Sequence, residues 1–275
     1  MLGKLYILTF LLHLSVAGFS QTDRADEFYN KALQFKKERN CTQAVEMLKK
    51  AIEIRPSFTD ALYELGWCYN ELKQYNLSIP VLTRTLSISS TDFRVIYELG
   101  LARYQTGLIN EAFNDFNKVI GLNPLFTQAY IARADLLKDA KENSASALKD
   151  YLKAIDLDSN SVKSYYWAGW CNNDLGQFNN AITYLQKAVK LDPSNYIALT
   201  ELGFAYFSLN HYEEAVVHLQ TAFNLNPKFE NAIFYYGLTQ VRLNKKAEAV
   251  KKYNELVLLG SEYAITLLNE IKNMK

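Results

Sequence analysis

Two stretches of the chain carry one pattern of side chains suited to molecular recognition. Tyr63, Trp67 and Asn70 fall at i, i+4 and i+7, and Tyr166, Trp170 and Asn173 repeat that spacing. An acid follows each set at once, Glu71 and Asp174. On a helix such positions share one side. Tyr and Trp bring large contact area at low entropic cost and make strong binding anchors. An Asn amide can hydrogen-bond a peptide backbone from both its ends. Related stripes run through Tyr29, Leu33 and Lys36, through Tyr97, Leu101 and Tyr104, through Thr200, Phe204 and Phe207, and through Phe234, Leu238 and Val241. Between the Tyr97 and Tyr166 sets the stretch turns polar, with Asp135 and Lys138.

Catalytic chemistry has no comparable signature. There is no Gly-rich phosphate loop, no His-Glu-x-x-His and no paired Cys-x-x-Cys spacing. Of three His, His13 lies in the N-terminal leader, and His211 and His218, seven residues apart, lack a third ligand for a metal. Acidic residues are abundant but stand beside Lys on what should be outward helical faces, the pattern of a solvated surface. No nucleophile–base pair can be nominated. The chain is expected not to be an enzyme, and to need neither cofactor nor metal.

Composition narrows the class of protein. The chain has 275 residues, 49% hydrophobic, with 5 Pro and 11 Gly, which suits a large helical core and leaves too little turn chemistry for an all-β fold. Met1 to Lys4 is a short positive start, Leu5 to Gly18 is almost unbroken apolar, and Gly18-Phe19-Ser20 ends in small residues. That layout predicts a secretory signal peptide over 1–20, cut after Ser20. Its apolar run is short of the ~20 residues needed to span a bilayer. The reading places the protein outside the cytoplasm, in a bacterial periplasm or secreted, with membrane contact only through the leader. Without Lys4 the chain holds 29 basic and 29 acidic side chains. That balance argues against nucleic acid as the main partner. Three Cys make no disulfide framework. Cys68 and Cys171 read as small core residues and Cys41 as a loop thiol.

The elements that position the stripes come from a repeat. Gly66, Gly100, Gly169, Gly203 and Gly237 share one slot with Ala32 and Ala134, at intervals of 34, 34, 34, 35, 34 and 34 residues. A second-helix alanine recurs at Ala44, Ala112, Ala147, Ala181, Ala215 and Ala249, and Pro closes units at Pro56, Pro124, Pro193 and Pro227. Seven units follow, about 25–58, 59–92, 93–126, 127–161, 162–195, 196–229 and 230–262. Within each, apolar residues at i, i+3, i+4 and i+7, such as Leu199, Leu202, Gly203 and Tyr206, predict one helix, and Ala215, Leu219 and Ala222 a second. Gly or Ala permits a close approach of the two, and Pro stops the second helix. The one extra residue, near Lys141-Glu142-Asn143-Ser144, predicts a longer turn. Ala264, Leu267, Leu268 and Ile271 predict a last amphipathic helix over 263–275, the cap that an open-ended stack requires.

This pattern resembles the tetratricopeptide repeat family across nearly the whole chain after the leader. Leu62, Leu65-Gly66 and Tyr69 match its first-helix signature, as do Leu199, Leu202-Gly203 and Tyr206. Ala181, Leu185, Ala188 and Pro193 match the later part. The resemblance implies an all-α fold, a right-handed α-solenoid of helix-turn-helix units. It also implies that the aromatic stripes line the concave surface on which the family binds peptides. At ~10 Å per repeat and ~3.3 Å per extended residue, such a groove would host on the order of 20 ligand residues. The family's carboxylate-gripping mode, which needs a repeated set of cations, is not met by Lys36, Lys138, Lys163 and Arg94. The resulting expectation is a non-enzymatic interaction module or scaffold binding a protein or extended peptide. Its site comprises Tyr29, Tyr63, Trp67, Asn70, Tyr97, Tyr104, Tyr166, Trp170, Asn173, Phe204, Phe207 and Phe234. Two alternatives stand beside it: a structural or self-associating subunit whose aromatics only fill gaps between helices, and a glycan-contacting accessory protein. Partner identity and oligomeric state are not written in the sequence.

Overall fold

The computed structural model describes residues 23–139 and 144–274. The leader at 1–20 and, of the predicted longer turn, Lys141, Glu142 and Asn143 lie outside the described residues, while Ser144 begins a helix. Among the described residues the fold is all-α, fifteen helices without a strand. They are α1 (residues 23–37), α2 (Cys41–Ile54), α3 (Thr59–Glu71), α4 (Tyr75–Ile88), α5 (Phe93–Gln105), α6 (Ile109–Leu122), α7 (Thr127–Asp139), α8 (Ser144–Leu157), α9 (Val162–Asp174), α10 (Phe178–Leu191), α11 (Tyr196–Ser208), α12 (Tyr212–Leu225), α13 (Glu230–Arg242), α14 (Lys246–Leu258) and α15 (Tyr263–Lys272). They form paired helix-turn-helix repeats of solenoid-like type. Two compact units divide between Ala132 and Arg133, inside α7.

Six of the hairpins are shaped by one recurring turn. The first helix ends on a residue with left-handed backbone: Arg39, Lys73, Gly107, Gly176, Asn210 and Asn244 have φ between 56° and 81°. The amide after it reaches back to a carbonyl five residues earlier, as Gln74 N to Tyr69 O (2.8 Å), Gln177 N to Asn172 O (2.8 Å) and His211 N to Tyr206 O (2.9 Å). This closure satisfies the last carbonyls of the helix and swings the chain into its partner.

In the first unit, the core between α1, α2 and α3 buries Ala32, Ala44, Leu48, Leu65 and Cys68. Cys41 belongs to this core and is 8% exposed, which corrects its reading as a loop thiol. The Asn40 side chain accepts from Gln43 N (3.1 Å), so α2 begins at Cys41 and turns the thiol inward. Burial pushes the Cys68 thiol pKa up, with Cys41 as the next contributor. Further along the unit, Gly66 admits Leu82 and Gly100 admits Phe116, both fully buried.

In the second unit, Gly169 admits Leu185 and Gly203 admits Leu219 in the same way. The last hairpin differs. There Gly237 receives Leu267 from α15, which also buries Ala264 and Ile271 against α13 and α14. The outer side of α15 carries Asn269 and Lys272 exposed, while Glu270 pairs with Arg242 (2.8 Å). A buried ion pair ties α7 to α8, with Arg133 Nε and Nη2 each 2.7 Å from the Asp150 carboxylate. Asp150 is 6% exposed, so the outward solvated reading of the acids fails for it.

Candidate functional site

The first helices of the hairpins carry the twelve residues singled out from the sequence. None is fully exposed: eleven are partly buried, and Asn173 is buried. Each ring leans on a neighbour and keeps part of its surface free.

In the first unit, Tyr29 packs on Phe58 (4.8 Å between centroids) and Tyr97 meets Phe126 edge-on (5.0 Å). Arg94 lies over Tyr63 at 5.2 Å and pairs with Asp92. Burial pushes the Tyr63 hydroxyl up to about 12. Lys36 Nζ sits 3.9 Å from the centroid of the Trp67 ring and pairs with Glu64. Tyr104 is partly buried on α5. Asn70 Nδ2 donates to both the backbone carbonyl (3.0 Å) and Oε2 (2.8 Å) of Glu98, leaving its own Oδ1 buried without a partner.

In the second unit the same construction recurs. Asn173 Nδ2 donates to the backbone carbonyl (3.1 Å) and Oε2 (2.9 Å) of Glu201, and Asn173 Oδ1 is buried and unpartnered. Tyr166 packs on Trp167 (4.7 Å), and Trp167 meets Trp170 edge-on (5.7 Å). Phe204 packs on Tyr235 (4.9 Å), and Phe207 also faces that ring (6.4 Å). Phe234 stacks on Tyr263 (4.7 Å, 18°). The polar interruption at α7 serves this unit internally: Asp135 accepts from Tyr151 and pairs with Lys163 (2.7 Å), and Lys138 lies over Trp167 (4.0 Å). A cavity of about 360 Å³ opens between Trp170, Phe204 and Tyr235, floored by Asn173 and Glu201 and edged by Asp174 and Asn231.

Glu98 and Glu201 are what the sequence reading missed. Burial raises both carboxyls, Glu98 to about 7, against the opposing hydrogen bonds from Asn70 and Asn173. Their signal was present: each directly precedes a Leu-Gly pair and lies 28 residues after its Asn. The reading also left out Trp167 and Tyr235, and it gave both ends of each Asn amide to a ligand. The structure commits the donor ends to the glutamates, so the acceptor ends alone remain. Among the described residues no group of three or more His, Cys, Asp or Glu could hold a metal ion, and no helix is long and apolar enough to cross a membrane. His211 and His218 both face the Tyr206 ring (6.3 and 5.4 Å).

Sequence profiles described as tetratricopeptide repeat match residues 47–79, 93–124 and 196–229, and one described as TPR repeat matches 173–210. With the stacked hairpins, they show that the chain contains tetratricopeptide repeats. Proteins with such repeats are typically protein–protein interaction modules and usually non-catalytic.

Among solved structures, the chain is similar to the C-terminal part of a TPR repeat-containing protein from Cytophaga hutchinsonii. That match has TM-score 0.71 and 16% identity, over 87% of this chain and 99% of the other. It is also similar to a tetratricopeptide repeat protein from Parabacteroides merdae, with TM-score 0.63 and 18% identity over 91% and 100%. YrrB, a TPR protein with an unusual peptide-binding site, aligns with TM-score 0.61 and 18% identity over 69% and 97%. At these identities the likeness is one of fold. In sequence, the chain is 27% identical over 161 residues to the human protein O-mannosyl-transferase TMTC3, a match over 53% of this chain. The chain spans 17% of the length of that protein and 16% of its mouse counterpart.

Proposed function

We propose that the first-helix faces hold a protein partner through an extended peptide segment. One observation carries this reading. The core stripe of each first helix is already complete, as Leu62, Leu65, Gly66 and Tyr69 are buried in α3. The aromatics one position onward are therefore a second set, and they keep partial exposure. In the second unit they frame an open cavity. A partly packed ring is held in place before a ligand arrives, which lowers the entropic cost of binding. The reading is a binding module, in keeping with the usually non-catalytic character of such repeats.

A phage library of random nonapeptides, selected on the wild-type chain, tests it. Retained peptides should shift the fluorescence of the wild-type protein. They should bind about tenfold more weakly to the Trp67→Ala/Trp170→Ala variant, whose helicity is checked by circular dichroism. Equal affinity for the two proteins would move the function to another surface.

The leader carries a separate part of the proposal: residues 1–20 direct export to a bacterial periplasm or beyond the cell and are removed. The intact mass of the native protein should begin at Gln21. A mass that includes Met1 to Ser20 overturns this.

A further inference from the structure

The cavity between Trp170, Phe204 and Tyr235 has a chemical bias that stacking does not require. Asn173, Asp174 and Glu201 bring acceptor oxygens to it, beside the Asn231 amide. Asn173 is 7% exposed, with Oδ1 facing no partner. Glu201 receives one side-chain donor, Asn173, and Asp174 receives Ser144 Oγ. Among the described residues neither acid forms an ion pair, and no Lys or Arg lies over the three rings. Aromatic faces and carboxylates both attract a cation, the first by their quadrupole and the second by charge.

In the first unit a cavity of about 710 Å³ also opens beside the equivalent tryptophan, and there a cation of the chain itself lines it. Trp67 occupies the place of Trp170 in its repeat, and the protein's own Lys36 covers it, anchored by Glu64. Lys36 stands four residues after Ala32, and Lys138 four after Ala134. Lys138, however, lies over Trp167 and pairs with Asp139. Trp170 is thereby left without the cation that its counterpart has.

We propose that this cavity is the subsite for a cationic side chain, lysine or arginine, of the bound peptide. The proposal rests on the peptide-binding reading above and specifies its ligand. The aliphatic stem lies along Phe204 and Tyr235, the charged head meets Trp170, and its protons go to Glu201 and Asp174, with the buried Asn173 Oδ1 adding its negative end from behind. A guanidinium or ammonium supplies several donors at once, which suits two carboxyl groups in one pocket. Burial raises the Glu201 carboxyl, and a cation seated beside it would favour its charged form.

The nonapeptides selected on the wild-type chain provide the probes. They should carry Lys or Arg at one fixed position, and replacing it with norleucine, of equal length and no charge, should weaken binding about tenfold. Glu201→Gln, and separately Asp174→Asn at its exposed position, should weaken the Lys form several-fold and leave the norleucine form unchanged. Peptides that lose affinity for Trp170→Ala yet bind as tightly with norleucine would overturn the cation subsite and leave the groove reading standing. A wild-type chain that retains no peptide overturns both.

Discussion

Gly203→Val is expected to cost about 3 kcal/mol of stability through overpacking. A Cβ on Gly203 would lie 2.5 Å from Leu219 Cγ and 2.8 Å from its Cδ2, distances no real contact tolerates. Leu219 cannot retreat: it is fully buried, packed with Ala215 and Tyr236. The helices α11 and α12 must therefore part. Because a repeat protein is stabilised by nearest-neighbour interfaces, the damage should spread to the hairpins on either side before the rest of the unit. Leu219→Ala alone removes a buried side chain and costs roughly 2–5 kcal/mol. In the double variant the new methyls occupy the space the leucine leaves, so the loss should fall short of the sum by at least about 1 kcal/mol. Gly121 supplies the control. It is exposed on α6 with nothing within 4 Å of its Cβ position, so Gly121→Ala should gain up to about 1 kcal/mol from helix propensity alone. Urea unfolding, with hydrogen exchange on α11 and α12, measures all of these. A Gly203→Val protein as stable as the wild type would show that glycine does not set the helix spacing.

The same contacts explain why the fold was so readable from the sequence. Hairpin spacing depends on residues 16 apart, Gly66 with Leu82 and Gly203 with Leu219, and that relation is written five times over, at Ala32, Gly66, Gly100, Gly169 and Gly203. Each copy reinforces the others. Ala32 fits its slot beside Leu48 in the first core, so the period survives where glycine is missing. The aromatic stripes were legible for a related reason: they occupy a helical side that the core pattern leaves free.

What escaped depends on contacts that cross from one repeat to the next. Glu98 looks like a surface acid, since the residues beside it on α5 belong to the core stripe. Only Asn70, on the first helix of the preceding repeat, turns it inward. The same holds for Glu201 and Asn173. Asp150 is invisible for the complementary reason, because its partner Arg133 sits on the other helix of its own hairpin. A stripe analysis of one helix at a time has no means of pairing such residues. Cys41 was misplaced by a matter of one position, since the helix starts at the residue after its cap.

Glu98→Gln should make the protein more stable above neutral pH and leave it unchanged in mild acid. Burial is the largest influence on the Glu98 carboxyl, raising it from an ordinary 4.5 to about 7; the Asn70 hydrogen bond opposes this, Glu71 adds to it, Lys36 opposes it, and Glu64 adds to it. A carboxyl raised in the folded state holds its proton more tightly there than in the unfolded chain. Its contribution is therefore fully present below pH 4.5 and is lost as pH rises through 7. That difference corresponds to about 3 kcal/mol. Glutamine keeps an oxygen for Asn70 Nδ2 and never ionises, so the variant should exceed the wild type by about 2–3 kcal/mol at pH 8 and match it at about pH 4. Urea unfolding at the two pH values decides this, and parallel pH profiles for the two proteins would sink it. A fold gains nothing by charging a buried carboxylate at neutral pH, and this chain places one beside an unpartnered amide oxygen in each unit. Strain of that kind is expected where a ligand relieves it. In the first unit Lys36 relieves part of it from within. In the second, a cation brought by the partner would do the same, and binding would then stabilise the hairpins around α9, α11 and α13 in proportion to the ligand bound.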